Sequence, residues 1–119
     1  MDILEIRDYC LSKPFTEESL PFDDNTLVIK VMGKMFILIS LDEPTFPKIN
    51  VKCDPEVAID LRERFACVSM GYHMNKKLWN TISIDGSVSD RLIKEWIDHS
   101  YEEVVKKLTK KQQSEISNF

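Results

Sequence analysis

The stretch LVIKVMGKMFILISL, Leu27 to Leu41, decides the fold class. Two apolar, β-branched runs, LVIKVM and MFILISL, flank the pair Gly33-Lys34, which is the pattern of two strands closed by a short glycine-containing turn. The next run, KINVKC at Lys48 to Cys53, alternates strictly. Because successive strand residues point to opposite faces, Ile49, Val51 and Cys53 are expected inward, and Lys48, Asn50 and Lys52 form a basic outer face. No crossover helix separates the three runs, so the sheet is expected to be antiparallel.

Helical signals surround this sheet. Residues 2–12 place Ile3, Ile6 and Cys10 at helical spacing, and Pro14 ends the pattern. The following KPFTEESLPFDDN has no sustained period and is expected to be a connecting loop, with at most a turn of helix at Thr16 to Leu20. Asp54-Pro55-Glu56 is a helix start, after which Ala58, Leu61 and Phe65, with Val57 beside them, are expected to face the core. Val68 to Tyr72 and Leu78 to Ile84 read as two further strands flanking an Asn75-Lys76-Lys77 turn. Ser87 and Asp90 resemble a capping box ahead of a long amphipathic helix that carries Trp96, Ile97, Tyr101 and Val104, with a bend expected near Asp98 to Ser100. Beyond Leu108 the apolar stripe stops, so 109–119 is expected to fray. The expected class is α+β: one domain over residues 1–119, an antiparallel β-sheet with helices packed on it.

Composition narrows the function. A net charge of −4 opposes a generic polyanion binder, yet charge is uneven along the chain. Residues 1–25 hold seven acids against Arg7 and Lys13, whereas residues 26–53 hold four lysines against Asp42 and Glu43. The N-terminal MDILEIRDYC lacks the basic start and uninterrupted apolar run of a signal peptide, and no segment has the length of a membrane span. Cys10, Cys53 and Cys67 are widely spaced and form no CxxC, as suits buried thiols in a reducing compartment. The expected setting is therefore cytoplasmic.

The chemistry-bearing residues concentrate in GYHMNKKLW, Gly71 to Trp79. His73 has no Ser, Cys or acid at a spacing that fixes a dyad, so a hydrogen-bonded structural or surface role is expected before a catalytic one. Gly33, Gly71 and Gly86 are scattered and build no phosphate loop, and no ligand spacing suggests a metal or cofactor. Lys76 and Lys77 beside Tyr72, His73, Asn75 and Trp79 interleave cations, amides and aromatic rings, as nucleic-acid contacts require.

Taken in order, the strand–Gly-Lys–strand unit, VKCDPEVAIDLRE, GYHMNKKLWNTISIDGSVSD and IDHSYEEVVKKL resemble the MmcQ/YjbR family of small proteins from Ile3 to Leu108. The most specific marks are Tyr72, His73, Met74, Asn75, Lys76, Trp79, Ser100 and Tyr101, supported by Lys34, Phe36 and Lys52. The resemblance implies an α+β double-wing fold and DNA binding. It also implies that Trp79 anchors the sheet and that Tyr72 and His73 bond to the long helix, with Ser100 and Tyr101 as partners. The combined expectation is a monomeric, non-enzymatic domain that associates with DNA or other nucleic acid through Asn75, Lys76, Lys77, Lys48 and Lys52. The rival reading is a protein-interaction module, and the third is an enzyme built on His73.

Overall fold

The computed structural model describes residues 1–71 and 75–118. Their order is α1 (Ile3–Leu11), β1 (Thr16–Ser19), β2 (Thr26–Val31), β3 (Lys34–Ser40), β4 (Lys48–Lys52), α2 (Pro55–Arg64), β5 (Val68–Met70), β6 (Trp79–Ser83), α3 (Asp90–Val105) and α4 (Lys110–Ser117). The strands form one antiparallel sheet in the order β1-β2-β3-β4-β6-β5.

The hairpin forms as expected, but its turn lies one residue earlier than Gly33-Lys34. Val31 pairs with Lys34, which leaves Met32 and Gly33 as the loop. Both have positive φ, 47° and 82°, as the type I′ turn requires. The register then slips between Ile29 and Lys30, leaving Phe36 as the extra residue of a bulge whose side chain is fully buried. β4 alternates as expected, with Ile49, Val51 and Cys53 buried.

Several local expectations are corrected. The TEES segment is an edge strand, β1, rather than a turn of helix. It pairs with β2 from Thr16 opposite Val31 to Ser19 opposite Val28, and it buries too little to show an apolar alternation. The N-cap of α3 is Ser89 rather than Ser87: the Ser89 side chain accepts the Leu92 amide, and Ser87 lies in the preceding turn, where its amide donates to Asp85. The tail does not fray throughout: Thr109 and Gln112 make a reciprocal capping box and start α4, although no α4 residue is fully buried. Val57 also turns outward, 37% exposed, while Ala58 and Leu61 face the core.

α3 lies across β2, β3 and β4 and runs unbroken through Asp98 to Ser100. Its Ile93, Trp96, Ile97, Tyr101 and Val104 join Ile6 and Cys10 of α1, Ala58 and Leu61 of α2 and the inner residues of the sheet in the main core. Trp96 meets Phe65 edge-on at 5.1 Å. Trp79 is equally buried, but on the opposite face of the sheet, in a second cluster with Val28 and Leu38 that Met35 and Leu78 flank.

Candidate nucleic-acid interface

The His99-Ser100-Tyr101 run docks α3 onto three separate pieces of chain. The Ser100 hydroxyl, fully buried, accepts the Lys52 amide at 2.8 Å and donates to the carbonyl of the bulged Phe36. The ladder between β3 and β4 stops at Ile37 opposite Val51, and this hydroxyl satisfies backbone groups of both strands just beyond that point. Nε2 of His99 accepts the Asp54 amide at 3.2 Å. Tyr101 donates to the Pro14 carbonyl at 2.7 Å, and its ring meets Phe36 edge-on at 5.3 Å. Ser100 and Tyr101 are thus engaged by backbone groups of Phe36, Lys52 and Pro14. The expectation for Tyr72 and His73 lies outside the described residues.

The described part of GYHMNKKLW has the same structural character. The Gly71 amide donates to the Trp79 carbonyl at 2.9 Å, and a Cβ on Gly71 would stand 2.8 Å from the Cβ of Trp79. Only glycine fits that approach. Asn75 is spent on the turn: its carbonyl accepts from Leu78 and Trp79, and its side-chain oxygen accepts the Lys77 amide at 3.0 Å. Lys76 and Lys77 are left exposed.

The strand register shows where the predicted lysines sit. Lys48 pairs with Ser83 at one end of β4, and Lys52 pairs with Trp79 at the other. Lys48 lies 3.7 Å from Glu43 and borders a hollow with Ser40, Asn50 and Thr81. It stands apart from Lys52, Lys76 and Lys77. Lys52 instead shares a groove of about 310 Å³ with Lys34, Lys107, Met35, Trp79 and Val104. Lys76 and Lys77 share one of about 270 Å³ with Arg62, Pro55, Ile59 and Met70. Arg62 reaches the Lys76 carbonyl at 3.2 Å and the Ala58 carbonyl at 3.1 Å.

Lys34, Lys52, Arg62, Lys76, Lys77 and Lys107 therefore gather where β3 begins, β4 ends and β6 begins. Among the described residues none of the six is ion-paired. Asp23, Asp24, Asp42 and Glu43 lie in the loops at the opposite ends of β2 and β3, which the Leu41 amide ties together through the Asn25 carbonyl. The net charge of the chain conceals this clustering of cations.

The family model described as YjbR matches residues 11–103, a span that includes the hairpin, the Gly71–Trp79 stretch and the His99-Ser100-Tyr101 docking. The chain belongs to the YjbR family. It is 35% identical over 105 residues to protein YjbR of Escherichia coli K12, covering 88% of each chain. It is 34% identical over 106 residues to protein YbdF of Escherichia coli O157:H7, covering 89% of this chain and 86% of that one. Among solved structures it is similar to Deinococcus radiodurans protein DR2400, with a TM-score of 0.89 and 35% identity over 98% of this chain and 88% of that one.

For this YjbR chain, sequence reasoning named Lys52, Lys76 and Lys77 and missed three of their companions. In the sequence Lys34 lies beside the hairpin turn, Arg62 within the helix that Asp54-Pro55 starts, and Lys107 near the end of the long helix. Only the meeting of strand and helix ends brings them together. Among the described residues no group of three or more His, Cys, Asp or Glu is placed to hold a metal. Nor, among the described residues, is any helix long and apolar enough to cross a membrane.

Proposed function

We propose that this chain associates with nucleic acid through the basic end of its sheet, by contact with phosphates rather than by reading bases. The observation that supports this reading is the cluster of six cations, Lys34, Lys52, Arg62, Lys76, Lys77 and Lys107, none of them ion-paired among the described residues. Lysine is a flexible point charge suited to phosphate, and it lacks the planar fork that reads guanine. The one arginine turns its Nε and one terminal nitrogen to the Ala58 and Lys76 carbonyls. Lys48 and Asn75 leave the expected contact set, the first by position and the second because its side chain shapes the turn. The reading is of binding, not catalysis.

A salt titration tests it. Fluorescently labelled duplex and single-stranded DNA are titrated with the protein at several salt concentrations, with polyglutamate as a non-nucleic polyanion. Log affinity for the duplex should fall linearly with log salt, with a slope of about −0.9 for each phosphate neutralised. No binding at low salt, or equal binding to polyglutamate, overturns the proposal.

A further inference from the structure

We propose that the β5 edge and the groove beside it form a docking site for an extended acidic peptide, which adds to the sheet as a seventh strand. The sheet has two edges, β1 and β5. β1 carries Glu17 and Glu18, and Arg7 holds Glu18 through two hydrogen bonds of 2.6 Å. Charge of this kind guards an edge against pairing with another chain. β5, Val68-Ser69-Met70, carries no charge, and Ser69 and Met70 are exposed.

The phase of the ladder shows which groups β5 presents. Gly71 donates to the Trp79 carbonyl, and Ser83 donates to the Cys67 carbonyl. In an antiparallel pair, bonded and non-bonded residues alternate, so residues 67, 69 and 71 face β6 while Val68 and Met70 turn their backbone groups outward. The Val68 amide is taken by the Phe65 carbonyl. Among the described residues, the Val68 carbonyl and both backbone groups of Met70 are the edge on offer.

The groove supplies selectivity. Its apolar part is Pro55, Ile59 and Met70, with Ile59 54% and Met70 52% exposed. Arg62, Lys76 and Lys77 line the same groove. A strand places alternate side chains on one face, so one apolar residue can lie on Ile59 and Met70 while carboxylates two positions away meet the cations. Charge complementarity therefore selects an acidic partner. The site shares Arg62, Lys76 and Lys77 with the nucleic-acid interface, but Ile59 and the β5 edge belong to it alone.

The test uses the whole chain and a fluorescein-labelled nonapeptide, Gly-Asp-Thr-Leu-Thr-Asp-Thr-Asp-Gly, read by anisotropy. Saturable binding is expected, together with loss of binding for the same peptide with lysine in place of aspartate. N-methylation at one alternate set of residues should abolish binding and at the other set should preserve it, because only one set faces β5. Ile59→Asn, which removes the apolar contact without adding charge beside the lysines, should weaken the peptide by about tenfold or more and leave DNA binding unchanged, while Lys34, Lys52 and Lys107→Gln together should weaken DNA and spare the peptide. If both N-methylated peptides bind as well as the parent, or Ile59→Asn changes nothing, the attraction is charge alone and the strand-addition proposal falls. Absence of binding up to about 1 mM overturns it as well.

Discussion

The Ser100 hydroxyl accepts the Lys52 backbone amide at 2.8 Å, inside the core and within the helix that covers the sheet. The same oxygen donates to the Phe36 carbonyl, so one side chain completes two strands where their own ladder has ended. Ser100→Ala removes both bonds and adds no replacement. Leaving two buried backbone groups unpaired should cost about 2–4 kcal/mol in urea unfolding. A loss under about 0.5 kcal/mol, the range of surface sites, would contradict this role.

Gly71 and Trp79 give a second steric test. With Trp79 Cβ 2.8 Å and its carbonyl oxygen 2.9 Å from an added Cβ, Gly71→Ala forces the two strands apart. A destabilisation of about 1–3 kcal/mol is expected, as for overpacking elsewhere. The far-face cluster should loosen with it, which Trp79 fluorescence reports in a Trp96→Phe background.

The two tryptophans lie in different clusters on opposite faces of the sheet. Trp96→Ala should cost about 3–5 kcal/mol, the usual range for emptying a buried aromatic site. Combined with Trp79→Ala, the losses should add to within about 0.5 kcal/mol, because the residues share no packing partners. A double-mutant cycle checks this. A large coupling energy would mean that the two clusters move together.

Alkali should unfold the protein. Burial pushes the Cys10 thiol up from 9.0 to about 12 and the Cys53 thiol up to about 11. Burial, then the hydrogen bond to Asp98, pushes the Tyr9 phenol up from 10.0 to about 12. Each group is protonated in both states at neutral pH. Above about pH 9 the unfolded chain gives up these protons before the fold does, so stability falls as pH climbs. Urea midpoints should be lower at about pH 10.5 than at pH 8, and Cys10→Ala should flatten that fall. An unchanged slope in Cys10→Ala would show that its thiol does not carry the effect.

Local chemistry made the hairpin, β4, α1 and the start of α2 legible in the sequence. Alternation in KINVKC and the Asp54-Pro55 cap each specify an element without help from the rest of the chain. β1 was not legible, because TEES is an edge strand held by its pairing with β2 and by Arg7 on Glu18, not by an apolar alternation of its own. α4 was missed for a related reason: its Thr109–Gln112 cap defines it, not an apolar stripe. The site was legible in halves. Lys76 and Lys77 stand out beside aromatics, but Lys34 and Lys107 gain meaning only when a hairpin end and a helix end meet over Trp79. The His99-Ser100-Tyr101 run reads as a motif, but its backbone partners cannot be read from composition.

The most direct test of the basic end compares salt slopes across charge-neutral variants on the same duplex DNA. Lys34, Lys52 and Lys107→Gln together, and Lys76 and Lys77→Gln together, should each leave the melting temperature nearly unchanged and weaken binding to all sequences alike. Each should also make the salt slope shallower by roughly 1 for every phosphate that the variant no longer neutralises. Lys48→Gln, at the other end of β4 beside Glu43, should leave affinity and slope as they were. If Lys48→Gln alters the slope while both multiple variants keep it, the contact surface is the open sheet face and not the basic end.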